Sequence, residues 1–280
     1  MMAENISTSP LKKSYDVVII GGAMLGSSVA WFLSTNRDFK GSILIIEKDP
    51  TYEFSSTAHT NSCIRQQFST EINIKISQFG ANFIKNFREY MGGDERVPIV
   101  PFQSFGYMYL ADNLDFSETL QQAQIIQKKC GAGTKYMRAD EIKRDYPFYM
   151  LDDIIGGNHN LIDEGYFDGN TLFDWWKRSA RERGAEYITN EAISMQKNIK
   201  GNSVKTIILK SGEVISVGQV VNASGPRAKL TAQMAGIEIP VEPRKRYTFI
   251  FDAEHSLNCD LPLTIDPSGI HMRSEGEYYL

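Results

Sequence analysis

The sequence predicts an α/β protein built around a Rossmann-type nucleotide-binding unit, and three stretches carry that prediction. Residues 16–28, Asp16-Val17-Val18-Ile19-Ile20-Gly21-Gly22-Ala23-Met24-Leu25-Gly26-Ser27-Ser28, are an apolar strand that runs directly into a glycine turn and then a helix. That order aims backbone N–H groups and the positive end of a helix at a pyrophosphate. Residues 42–47 are a second apolar strand, ending in Glu47. Residues 219–226, Gln219-Val220-Val221-Asn222-Ala223-Ser224-Gly225-Pro226, are a buried strand breaking into a small-residue turn, a place where backbone passes close to something.

The turn reads G-x-A-x-x-G, with Ala23 in the second glycine place. The helix after it has Val29, Ala30, Phe32 and Leu33 as its apolar residues. Glu47 lies 21 residues after Gly26, where a dinucleotide fold puts the carboxylate that accepts from the adenosine ribose hydroxyls. A carboxylate there repels a 2′-phosphate, which argues against NADP. Residues 50–70 are rich in small hydroxyl side chains and read as a loop suited to phosphate oxygens. Arg65 stands between apolar Ile64 and Phe68, so it is partly buried and needs an anionic partner.

Beyond the loop, a helix carries Ile72, Ile76, Phe79, Phe83 and Phe87 on one stripe, read as core packing. Strands with a break follow at 98–111, and helices at 116–130 and 139–147, the last stopped by its proline. The region 92–150 holds no catalytic cluster and reads as an inserted module. Residues 162–169 read as a turn-rich crossing and 170–184 as a helix, with Trp175 and Trp176 packed on a sheet. Strands at 186–188, 192–195, 204–209 and 214–215, with turns at Gly201-Asn202 and Ser211-Gly212, form an antiparallel meander. Residues 241–251 and 261–280 are strand-like again.

Composition narrows the class. The 280 residues are 42 % hydrophobic and 23 % charged with a net charge of −4, so the basic excess of a nucleic-acid or membrane-surface protein is missing. Cys63, Cys130 and Cys259 form no C-x-x-C pair, and read as reduced thiols of a cytoplasmic protein. No apolar run reaches the roughly 18 residues of a membrane span. Residues 1–12 read as a disordered lead-in. The chain stops at Tyr278-Tyr279-Leu280, as if in mid-strand, which predicts a fragment of a longer protein.

Taken together, residues 17–28, Ile45-Ile46-Glu47-Lys48-Asp49, Ser55-Ser56-Thr57 with Ile64-Arg65, and residues 220–226 resemble the FAD-dependent oxidoreductases of the D-amino-acid oxidase type. That group includes sarcosine oxidase, glycine oxidase and the sarcosine and dimethylglycine dehydrogenases. The resemblance implies a Rossmann-type FAD-binding domain in two parts (14–90 and 156–238) and a mostly antiparallel-sheet substrate domain in two parts (91–155 and 239–280). It implies oxidation of the C–N bond of a small or N-methylated amino acid to an imine that hydrolyses.

By residue, the resemblance assigns Gly21, Gly22, Ala23 and Gly26 to the pyrophosphate, Glu47 to the ribose with Lys48 beside it, and Ser56 and Thr57 to the phosphates. It assigns the backbone at Ala192 to the adenine and Gly225 to a second backbone approach. Arg65 matches the arginine that binds the substrate carboxylate; a structural ion pair or a flavin-phosphate contact stays open for it. His59 falls where the dimethylglycine dehydrogenase type links its flavin covalently, with Ala58 in place of that family's tryptophan; a plain loop histidine stays open too. The family leaves the electron acceptor among oxygen, a quinone and an electron-transfer flavoprotein. Other readings are a flavoprotein acting on a 2-hydroxy acid or glycerol phosphate, and a non-catalytic relative of the mitochondrial flavoprotein that helps assemble respiratory complex I. A plain NAD dehydrogenase fits the antiparallel stretch less well.

Overall fold

A computed structural model describes residues 6–280. From the N-terminus the elements are β1 (Ser14–Ile20), α1 (Met24–Thr35), β2 (Ile43–Glu47), β3 (Cys63–Ile64), α2 (Glu71–Lys85), α3 (Phe87–Tyr90), β4 (Phe102–Gln103), β5 (Tyr107–Ala111), α4 (Leu114–Lys129) and β6 (Lys135–Arg138). Then come α5 (Ala139–Asp145), β7 (Gly156–Asn160), β8 (Gly165–Phe167), α6 (Gly169–Glu182), β9 (Glu186–Thr189), β10 (Ala192–Lys197), β11 (Val204–Leu209) and β12 (Val214–Asn222). A 3-10 turn at Gly225–Arg227 leads into α7 (Ala228–Met234), and β13 (Leu263–Ile265), β14 (His271–Met272), β15 (Ser274–Glu275) and β16 (Tyr278–Tyr279) end the chain.

The chain divides into two compact units. One runs to Thr60 and resumes at Gly169–Lys245; the other is Asn61–Asp168 with Arg246–Leu280. The sequence placed the breaks at 90/91, 155/156 and 238/239 instead. Residues 61–90 go with the second unit because α2 is tied to α4. The Gln78 side chain donates to the Cys130 carbonyl at 3.0 Å, and Gln127 donates to the Phe68 carbonyl at 3.1 Å.

The first unit is a six-stranded sheet in the order β10-β11-β12-β1-β2-β9. Strands β12, β1, β2 and β9 are parallel, and β10, β11 and β12 are antiparallel. Val18, Leu44, Ile188 and Ile207 are fully buried in it. A parallel strand covered on both faces needs such an apolar run. The antiparallel meander is β10, β11 and β12 only; residues 186–188, expected in it, belong to β9, which pairs parallel with β2 at the other edge, and 214–222 is one nine-residue strand rather than two pieces. Of the apolar residues expected on α1, Ala30 is buried while Phe32 is exposed, and Trp31, which was not among them, is buried. Helix α6 packs along α1, with the Phe32 and Trp176 rings 6.5 Å apart.

The lead-in is more ordered than its composition implies. Strand β9 is an edge, and polar backbone covers it: Thr189 donates to the Ser7 carbonyl at 2.8 Å and Asn190 to the Thr8 carbonyl at 2.7 Å. The Leu11 N–H meets Glu186 at 2.6 Å. Edge donors need partners whatever the hydropathy of the segment that supplies them. Residues 1–5 of the expected lead-in lie outside the described residues.

The second unit has a five-stranded sheet in the order β14-β13-β5-β7-β6 and a three-stranded sheet in the order β3-β8-β4. Only the β13–β5 pair in these sheets is parallel. The crossing at 162–169 therefore contains a strand, β8. The stripe assigned to α2 forms core only at its end: Phe83 and Phe87 are buried, but Ile72, Ile76 and Phe79 are 64 %, 61 % and 55 % exposed, and Ile74, Ala81 and Ile84 are buried in their place. The helix carries two apolar faces, and periodicity cannot rank them. Residues 241–251 form no strand; Phe251 makes one bridge to Tyr279. Pro240 and Pro243 remove ladder donors there. The three cysteines are free. Among the described residues no helix is long and apolar enough to cross a membrane.

Candidate cofactor and substrate sites

The parallel strands of the first unit end together at Ile20, Glu47, Thr189 and Asn222, the edge at which open α/β sheets bind ligands. Two turns meet there. The Ala223 N–H donates to the Ile20 carbonyl at 2.9 Å, which sets the residue 223–225 turn beside the residue 21–26 turn. Gly21 has φ +98°, and a Cβ on it would lie 2.4 Å from the Ala223 carbonyl oxygen. A Cβ on Gly26 would lie 1.8 Å from the Gly21 carbonyl oxygen. Neither position accepts a side chain. Ala23 has φ −73° and serves as N-cap of α1 without a side-chain cap bond, so an alanine is unstrained there.

The first turn of α1 has no acidic residue. Its N–H groups and dipole therefore face outward without a competing anion. Thr57 reaches this end, its hydroxyl accepting the Met24 N–H at 3.3 Å. The Gly22 carbonyl is held by the Ser27 hydroxyl at 2.7 Å, and Tyr187 donates to Ser27 in turn at 3.1 Å. Glu47 accepts the Gly22 N–H at 2.7 Å and the Asp49 N–H at 2.8 Å. Burial raises its carboxyl above the usual range and those two donors oppose the rise. A turn closed to side chains at Gly21 and Gly26, a helix start whose own N-cap side chain makes no bond, and a fixed carboxylate make a set that fits a dinucleotide such as FAD.

The remaining expected residues are less uniform. Ser56 is exposed. His59 is exposed, with Nε2 2.6 Å from the Glu53 carbonyl oxygen within the same loop. Lys48 and Arg227 each lie 3.9 Å from Glu191, the residue before Ala192. Ala192 is buried at the start of β10. Gly225 adopts φ +56°.

One residue at this site escaped the sequence reading. Tyr52 is 8 % exposed, has φ +58°, and its hydroxyl has no hydrogen-bond partner. That hydroxyl would lie 3.3 Å from a Cβ on Gly22. Its ring packs edge-on against Phe173 at 4.8 Å. An aromatic residue five positions after Glu47 in a polar loop is the signal that marks it.

The second unit holds Arg65 after β3. Its guanidinium lies 4.7 Å from the Phe68 ring centre and 5.8 Å from those of Tyr107 and Tyr109, within cation–π range. No carboxylate of the described residues pairs with it, and its Nε is buried without a partner. The structural ion pair considered for Arg65 is therefore not made. Nearby, buried Arg273 is different: it pairs with Glu275, donates to the Ser274 carbonyl at 2.8 Å, and lies over Tyr166 at 5.1 Å. Glu164 is fully buried. It accepts the Gln66 N–H at 2.6 Å and the Gln67 side chain at 2.9 Å. Burial pushes its carboxyl up to about 7, against those bonds and the Arg65 charge. Neither Glu164 nor the tyrosine pair was foreseen, because their partners are distant in sequence.

Relatives of known kind share this organisation. The family model described as "DAO: FAD dependent oxidoreductase" matches residues 16–280. FAD-dependent oxidoreductase domain-containing protein 1 of Xenopus laevis is 30 % identical over 292 residues, covering 93 % of this chain and 58 % of that protein. Sarcosine oxidase subunit beta of Arthrobacter sp is 23 % identical, covering 82 % and 56 %. Among solved structures, L-proline dehydrogenase from P. horikoshii superposes with a TM-score of 0.75 at 24 % identity, covering 96 % of this chain and 70 % of that one. Glycine oxidase from Geobacillus kaustophilus gives 0.72 at 15 % identity, covering 96 % and 71 %. The chain thus spans 58 % of the length of the Xenopus protein. FAD is the cofactor on which the matched family depends, and the chain belongs to the DAO family of FAD-dependent oxidoreductases.

Proposed function

We propose that this chain carries the FAD-binding part and the carboxylate anchor of an oxidoreductase acting on the C–N bond of a small or N-methylated amino acid. The observation that carries the reading is Arg65: a half-buried guanidinium among three aromatic rings, without an ion-pair partner. A planar guanidinium binds a carboxylate through two parallel hydrogen bonds. The rings keep water from it and strengthen the pairing. The named relatives support the substrate class, since they include a 4-methylaminobutanoate oxidase and a sarcosine dehydrogenase.

In the first unit, Gly21, Gly22, Ala23 and Gly26 hold the pyrophosphate, Glu47 the ribose, Ser56 and Thr57 the phosphates, with the backbone at Ala192 and Gly225 alongside. FAD, when bound, supplies the acceptor for the two electrons removed with the hydrogen beside nitrogen. Arg65 fixes the acid end of the substrate and so its orientation. His59, held to its own loop, acts as a loop residue.

Anaerobic mixing of the FAD-loaded protein with sarcosine, dimethylglycine, glycine, proline and lactate tests the reading. Bleaching of the flavin band by one of the amino acids, lost in Arg65→Met, is the expected result. Bleaching by lactate alone, or an Arg65→Met variant that reacts as well as the native protein, overturns it.

A further inference from the structure

The segment that carries Arg65 has little regular structure of its own. Strand β3 is two residues long, and residues 65–68 are irregular. Side chains hold it: the Ser77 hydroxyl donates to the Arg65 carbonyl, Gln127 donates to the Phe68 carbonyl, and a buried carboxyl takes the two residues between. Glu164 accepts from the Gln66 backbone and from the Gln67 side chain. The same Gln67 nitrogen also donates to the Tyr107 carbonyl at 3.1 Å. Glu164 is in turn set by its backbone: Asp163 has φ +56° and Gly165 φ +144°, and a Cβ on Gly165 would lie 2.0 Å from the Gln103 carbonyl oxygen. The carboxyl therefore stands at a fixed point, bonded to the two residues that follow Arg65 and within range of its charge.

Resting on the reading of Arg65 as an anion site, we propose that Glu164 is its positioning residue, and that an anion binds Arg65 together with a proton on Glu164.

The charge arrangement gives the reason. Glu164 feels the Arg65 charge from the segment after β3, acts on the Tyr109 hydroxyl of β5, and is hydrogen-bonded by the neutral Asn160 side chain of β7. Gln66 and Gln67 complete the surround. Arg65 is thus the cation that offsets a carboxylate buried at 164. A ligand carboxylate on Arg65 takes up that charge, and two anions then share one guanidinium in a region of low dielectric. Like charges in such a site raise the proton affinity of the group that can titrate. Burial already raises Glu164 to about 7, so the fraction still ionised takes its proton from solvent when an anion binds, approaching one proton per anion above pH 7. No bond other than the O–H bond on Glu164 forms or breaks.

Acetate, ionised throughout the working range, is the probe. Its affinity for the full chain, followed by NMR titration, is expected to fall about tenfold between pH 6 and pH 8. Calorimetry near pH 7.5 in imidazole and in Tris, whose ionisation heats differ, is expected to show proton uptake. Glu164→Gln keeps the size and the hydrogen-bonding side chain, and is expected to bind acetate with a flat pH profile. Glu164→Ala, which releases Gln66 and Gln67 as well, weakens binding at every pH. A flat profile in the native protein, the same slope in Glu164→Gln, or equal heats in the two buffers overturns the proposal while acetate binding through Arg65 stands. If Glu164→Gln fails to fold, the two-buffer heats of the native chain decide it. Absence of acetate binding at every pH, or undiminished binding in Arg65→Met, overturns the Arg65 reading and this proposal with it.

Discussion

The nucleotide turn and the Arg65 site both present positive potential to an anion, but from different materials. The turn uses backbone: N–H groups at the start of α1, two glycines without room for a Cβ, and a neighbouring turn that closes over Gly21. The Arg65 site uses a side chain, and the fold supplies what surrounds it: three rings from β5 and the loop after β3, and a buried carboxyl from the residue before β8. A backbone site is rigid and tolerates no added atom where the chain touches itself. A side-chain site depends on partners brought from far along the chain, and its charge can be tuned by one of them. The two sites should therefore fail differently on mutation.

The largest difference is expected at Gly26. In Gly26→Val the added Cβ meets the Gly21 carbonyl, which is backbone and has nowhere to move. A cost of about 3 kcal/mol or more in folding stability follows. Flavin retention after gel filtration should be lost as well. A Gly26→Val protein that melts at the native temperature and keeps its flavin breaks the claim that backbone contact limits this turn.

The second unit should show its character in pH dependence. Burial lifts Glu164 from 4.5 to about 7, so the folded protein holds this proton more tightly than the unfolded chain. The stabilisation is fully present below pH 4.5 and is lost as pH rises through about 7, amounting to roughly 3 kcal/mol. Urea unfolding of the native chain and of Glu164→Gln across this window isolates the contribution as a difference. A constant difference between the two proteins from pH 4.5 to 8 would remove the buried-carboxyl account.

Arg65→Met should separate binding from folding. The guanidinium makes no ion pair with the described residues, and buried Glu164, which feels its charge, can meet the loss by holding a proton. Stability should change little, while kcat/KM for an amino acid falls about a hundredfold, the worth of a charge-assisted pair of hydrogen bonds. A fall in stability with unchanged kcat/KM would reverse the roles given to the two units.

The same contrast explains what the sequence could tell. The turn at 21–26, the acid at Glu47 and the second turn at 223–225 are local patterns, because a backbone site writes itself into glycine spacing. Arg65 was visible as a charged residue between Ile64 and Phe68 and through the family resemblance, but its surroundings were not. Its rings at Tyr107 and Tyr109 and its neighbour Glu164 are between 42 and 99 residues away, and no periodicity links them. The α2 stripe failed for a related reason: two apolar faces run along one helix, and only tertiary packing selected Ile74, Ala81 and Ile84 over Ile72, Ile76 and Phe79. Tyr52 is intermediate. Its loop position was legible, but its left-handed backbone and partnerless hydroxyl were not.

The smallest expected effect is at Ala23, the one departure from an all-glycine pattern in the turn. If backbone approach rather than residue identity makes this site, the test is whether the position demands a missing side chain. Gly21 and Gly26 do, on contact distance, and Gly21 also on its φ of +98°. Ala23 has φ −73°, an ordinary value for any L-residue. Restoring glycine removes a methyl without relieving strain, and adds backbone entropy to be lost on folding. FAD affinity of Ala23→Gly should therefore stay within about threefold of the native value. Flavin fluorescence titration of the two proteins measures it. A gain of tenfold or more would mean that the methyl stands between the backbone and the pyrophosphate, and that the turn was weakened by the substitution the sequence carries.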